Sequence, residues 1–86
     1  MTPNLSNFAD TDARRWLSDA RRAHQKARYH HIVRDDPDWR VRYIDACVEV
    51  AIAYQCIAHQ GATTFPWRCR YERTVDRWIA RAQSAV

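Results

Sequence analysis

Arg70, Arg73, Arg77 and Arg81 recur at intervals of three, four and four residues, the spacing that aligns side chains on one face of a helix. Guanidinium groups in such a row make bidentate hydrogen bonds to phosphate or carboxylate oxygens, a geometry lysine does not offer. Glu72 and Asp76 fall on another side of the same segment. The chemistry to expect is recognition of anions: an acidic protein surface, a nucleoprotein complex or nucleic acid itself. The competing reading is an ordinary solvated helix face.

A second basic group precedes it in the chain. Arg15, Arg22 and Lys26 share a helix side with Tyr29, and an aromatic among cations suits stacking on a nucleobase. Asp19 lies within helical reach of both Arg15 and Arg22, so local ion pairs compete for those charges. Trp39 is a further candidate contact, because tryptophan and arginine dominate the energetics of protein interfaces. The chain carries 14 basic residues. Nearly all are arginine, which a GC-rich genome alone would favour, but composition does not explain why none falls between 43 and 67.

The nucleophiles and ligands point nowhere comparable. Cys47, Cys56 and Cys69 form no C-x-x-C pair, and structural zinc takes four ligands in paired short spacings. Cys56 with His59, or His24 with His31, supplies one helical pair at most. Adjacent His30 and His31 cannot both face one metal from a regular helix. Buried thiols, and a His59 favoured by a helix C-terminus, account for these residues. With 1 glycine in 86 residues there is no loop to cradle a nucleotide phosphate. Helix capping accounts for Asp36 and Asp38. The expectation is no metal, no cofactor and no enzymatic activity.

These residues need elements to hold them. Asp36 before Pro37 reads as an N-cap followed by proline in the first turn, and Gly61 as a left-handed helix terminator. Asp10, Thr11 and Asp12 offer capping oxygens to an earlier helix. Apolar residues at helical spacing, Ala13, Trp16, Leu17, Ala20, His24, Ala27 and His31, then Trp67, Tyr71, Thr74, Val75, Trp78, Ala82 and Ala85, predict core faces. Helices are expected over about 11–34, 37–60 and 66–84, in one helical domain covering 1–86.

The middle helix gathers Asp38, Arg42, Asp45, Glu49 and Gln60 into one narrow strip and is apolar over the remaining circumference, far broader than an ordinary amphipathic helix. It must be covered on two sides. An all-α fold follows, a small antiparallel three-helix bundle with the second helix at its centre and close approach at Ala20, Ala23 and Ala27. Trp39, Tyr43, Val50, Tyr54 and Ile57 lie on one edge of the apolar sector, and a homodimer could bury what the flanking helices leave open.

The run from Ala46 to Ala58, broken by Glu49 and Gln55, is too short to span a bilayer. Met1 to Asn7 lacks the charge and apolar run of a signal peptide. A cytoplasmic chain with reduced cysteines is expected. A helix-turn-helix reader is not, because the middle helix is too long and the third presents no Asn or Gln in its first turns. What remains is a non-enzymatic protein-binding module that docks through its arginine face. Inhibitors of nucleic-acid machines encoded by phages and other mobile elements, anti-CRISPR proteins among them, are chains of this kind. The alternatives are a sequence-independent nucleic-acid binder and an oligomeric scaffold subunit.

Overall fold

In the computed structural model, which describes residues 10–60 and 63–86 (side chains from 12 onward), three helices follow one another: α1 (Asp10–Arg28), α2 (Arg40–Ala58) and α3 (Phe65–Ser84). There is no strand among the described residues. α1 and α3 each lie along α2. Ala13 meets Cys56 and Ile57 at one end, while Ala27 meets Tyr43, Cys47 and Ala82 at the other. Neighbours in sequence therefore run antiparallel, and α1 and α3 run the same way. This is the all-α, three-helix bundle around a broadly apolar central helix that the patterning predicts. The capping oxygens expected of Asp10 and Thr11, and the turn expected at Gly61, lie outside the described residues.

The first helix is shorter than the 11–34 expected. After Arg28 the chain widens into a π-helical stretch, Tyr29–Val33, in which the Arg34 N–H donates to the Tyr29 carbonyl at 3.0 Å. The wider turn holds two consecutive imidazoles against the next helix. His30 stacks on Trp39, with centroids 4.2 Å apart, and His31 leans on Tyr43 at 5.3 Å. Asp35 then takes a left-handed backbone, φ 52°, a conformation that aspartate tolerates better than most non-glycine residues.

Asp36 acts as the expected cap, its Oδ1 accepting the Asp38 N–H at 3.0 Å. The turn it caps, Pro37–Trp39, is 3₁₀, so α2 proper begins at Arg40, not at 37. Along α2, Cys47 and Cys56 sit nine residues apart, on opposite sides of a helix. Both are 0% exposed, so two sides of this helix are covered by its neighbours. Burial pushes both thiols upward in pKa, which leaves them inert.

The edge that either a homodimer or the flanking helices could bury is largely covered within the chain. Tyr43, Val50 and Ile57 are buried, and Trp39 and Tyr54 are half-buried. Among the alanines expected to admit α1, Ala20 and Ala27 are buried but Ala23 is exposed, and Ala13 takes its place. The heptad interval 13, 20, 27 brings the backbones together. Gln60, placed by its spacing on the polar strip, is buried beyond the end of α2.

The α2–α3 link is pinned by side chains. Thr63 donates its hydroxyl to the Ile57 carbonyl at 2.8 Å, and Arg68 donates Nε–H to the Ala58 carbonyl at 3.2 Å. These occupy carbonyls that the last turn of a helix leaves unpaired, at the end where positive charge is favoured. α3 itself is held lightly. Ala82 is its one buried residue among those described; Tyr71, Thr74, Val75, Trp78 and Ile79 are half-buried. Trp67, expected in the core, is 52% exposed.

Candidate docking face

Trp78 decides which side of α3 looks at α1. Its indole meets His24 of α1 edge-on, centroids 4.6 Å apart, while Val75 and Ile79 line a groove with Ala51, Ile52 and Gln55 of α2. By helical position the arginine row lies beyond Trp78, on the side away from Ile79. Arg70, Arg73, Arg77 and Arg81 are all exposed. Arg70 rests over Trp67 at 5.0 Å and Arg81 over Trp78 at 4.4 Å, geometry in which a cation is attracted to the ring face. None of the four pairs with a carboxylate among the described residues.

α1 contributes arginines to the same side, and these are not the ones its spacing first singles out. His24 is 7% exposed, and its pKa is lowered by burial first, then by the charges of Arg81, Arg28 and Arg21. One arginine of α3 and two of α1 therefore converge around a single buried imidazole. Arg21 and Arg28 stand seven residues apart beside Leu17 and His24, on the edge of α1 that faces α3. That heptad interval is the signal that could have found them. Their edge borders an open depression of about 400 Å³ lined by Leu17, Ser18, Arg21, Arg22 and Gln25.

Acidic residues border this face without pairing with the α3 row. Helical position puts Asp12 and Asp19 on the opposite flank of α1 and Glu72 away from the α3 row, while Asp76, three residues from Arg73, borders the row without pairing with it. Asp45 and Glu49 line a different groove, between α1 and α2. No described carboxylate falls between the Arg21–Arg28 edge and the α3 row.

The group read on the first helix is divided. Arg15 and Arg22 point outward, with Arg22 3.9 Å from Asp19. Tyr29 is 51% exposed and sets its edge against His30. Lys26 turns the other way, toward Trp39 at 5.8 Å. Trp39 is half-buried, stacked by His30 and approached by Arg42 at 4.5 Å. It forms the wall of a groove of about 410 Å³ with Ala23, Ala27 and Ala46, and with Asp45 and Glu49 on its rim. Lys26 and Trp39 thus belong to the α1/α2 side and not to the arginine face.

The cysteines and histidines are dispersed. Among the described residues no three potential metal ligands converge. His59 meets Gln55 at 3.2 Å, and His24 Nε2 has no hydrogen-bond partner among the described residues. No described helix is long and apolar enough to cross a membrane. Comparison with protein-family models, with curated proteins and with solved structures finds no match to this chain.

Proposed function

We propose that this chain is a non-enzymatic binding module that lays its α1/α3 arginine face on an anionic surface of another macromolecule. The partner class that fits is a nucleoprotein complex, and the effect of occupancy is inhibition of a nucleic-acid-processing machine, as with small inhibitors that phages and mobile elements encode. One observation carries the reading: Arg70, Arg73, Arg77 and Arg81 are all exposed and none pairs with a described carboxylate, while Arg81 acts with Arg21 and Arg28 on the buried His24. Guanidiniums lined up without ion-pair partners repel one another, which favours a ligand that neutralises them. A basic face also rules out imitation of DNA as the means of inhibition.

The test is capture from the native host with wild-type chain and with the Arg73→Glu/Arg77→Glu variant side by side. Both positions are exposed, so thermal stability should change by less than about 0.5 kcal/mol. The same nucleic-acid-processing partner should be held by the wild type and released by the variant. A partner retained equally by both would remove the arginine row from the interface and end this reading.

A further inference from the structure

The arginine row does not end in bare helix. It begins at Trp67, which is 52% exposed, and one residue before Pro66 stands Phe65, 73% exposed. Tyr71 approaches Trp67 to 6.1 Å and Tyr54 to 6.1 Å, so aromatic rings continue from the surface down to α2. Arg70 lies over the Trp67 ring at 5.0 Å. This leaves half of a large indole in water at the head of four unpaired cations, an arrangement the core does not require.

The order along α3 is an aromatic platform followed by Arg70, Arg73, Arg77 and Arg81. The last three rise by ~6 Å per step, and Trp67 to Arg81 spans ~21 Å. Steps of that size match the separation of neighbouring phosphates on an extended strand. Three kinds of anion offer themselves to such a row. An acidic protein surface neutralises guanidiniums and can seat an indole in a pocket, but its carboxylates carry no regular repeat to match the steps of the row. Duplex DNA supplies phosphates, but its bases are stacked inside and give Trp67 nothing to lie on. A single strand supplies both, phosphates in sequence and free base faces, and base–aromatic stacking is indifferent to base identity.

We infer that the α3 face is a single-strand nucleic-acid site, in which Trp67 stacks a base and Arg70, Arg73, Arg77 and Arg81 track about four consecutive phosphates, with Arg21 and Arg28 of α1 bordering the path. This rests on the reading of the face as the docking surface and names its occupant: the single-stranded segment that a nucleic-acid machine exposes. Affinity then comes mainly from released counterions and falls steeply with salt. Sequence preference is weak, because no Asn or Gln on α3 precedes Gln83 to read base edges.

The experiment is fluorescence anisotropy of a short labelled oligothymidylate against the full chain over a series of salt concentrations, with the matching duplex and polyglutamate as parallel probes. The single strand should bind more tightly than about 10⁻⁴ M at physiological salt, with a log–log salt slope near −3, as expected for about four phosphates. Arg73→Glu/Arg77→Glu should flatten that slope. Trp67→Ala should weaken binding by about five- to a hundredfold and leave the slope unchanged, and Trp67→Phe, which keeps a ring, should recover most of the loss. A duplex bound as tightly as the single strand, or a Trp67→Ala variant of unchanged affinity, overturns the inference. Binding of polyglutamate but not of the oligonucleotide overturns it while leaving the docking reading intact, and binding of neither removes both.

Discussion

Arg68 and Arg77 lie nine residues apart on α3, hence on opposite sides of it, and the fold consumes one and leaves the other. Arg68 is half-buried and donates to the Ala58 carbonyl at the end of α2. Arg77 is exposed with no partner among the described residues. The difference is not in the side chain but in what faces it. On the α2 side there is a helix C-terminus with its carbonyls. On the α1 side there are other arginines. A cation opposite a helix C-terminus stabilises the bundle, whereas cations gathered around His24 lower its pKa and find no carboxylate among the described residues.

The largest expected effect tests whether the two regions share one core. Trp78 joins them: it meets His24 of α1 and belongs to the cluster that contains Cys47 and Ala82. Trp78→Ala should cost about 3 kcal/mol, near the low end for a tryptophan truncation because the ring is only partly buried, read as a lowered midpoint in urea unfolding. A loss below about 1 kcal/mol would mean that α3 is held through its α2 contacts alone.

The next effect separates the two arginines directly. Arg68→Ala removes a charged donor from a partly buried carbonyl and should lower stability by about 1 to 2 kcal/mol. Arg77→Ala should change it by less than about 0.5 kcal/mol. Equal costs at the two positions, measured by thermal unfolding under one buffer, would erase the distinction between structural and docking arginines.

Much of this division is legible before any coordinates. Intervals of three and four place Arg70, Arg73, Arg77 and Arg81 together, Asp36–Pro37 marks the capped turn that leads into the second helix, and the polar strip of the middle helix implies cover on two sides. These features are local or periodic, and periodicity survives into structure. What escapes is set by packing between helices. Arg21 and Arg28 join the face only because His24 meets Trp78 across the bundle. Trp67 reads as core by spacing, yet it lies near the start of α3, where the neighbouring helices leave it uncovered. The π-helical stretch at Tyr29–Val33 escapes as well: it coincides with two imidazoles seated on Trp39 and Tyr43, a tertiary contact that local propensity does not register.

His24 offers a finer probe of the arginine side. The groups around it are Arg21 and Arg28 of α1, Tyr43 of α2 and Trp78 and Arg81 of α3. Burial and those three charges hold its pKa below the ordinary 6.5. Above that value the imidazole is neutral in both folded and unfolded chains. As pH falls past it the unfolded chain takes up the proton first, so stability declines until the folded-state pKa is reached. His24→Phe should flatten this part of the stability–pH curve. A polyanion on the face should shift the titration of His24 upward, because it offsets Arg81, Arg28 and Arg21. An NMR titration of the ring with and without oligonucleotide, showing no difference, would place the bound anion away from these three arginines.

The smallest expected effect lies at the rim, where α1 turns from the arginine face to its acidic flank. Asp19 and Arg22 stand 3.9 Å apart, with side chains 65% and 79% exposed, a pair that water and salt screen almost completely. Asp19→Asn should therefore move stability by no more than about 0.5 kcal/mol. Its influence on binding should be larger than its influence on folding, since it removes the carboxylate nearest to Arg22 and so extends the cationic field by one residue. The oligonucleotide affinity should rise modestly at low salt and return to the wild-type value at physiological salt. A gain that persisted at high salt would mean that Asp19 contacts the strand directly, and the boundary drawn here between the two flanks of α1 would have to move outward to include it.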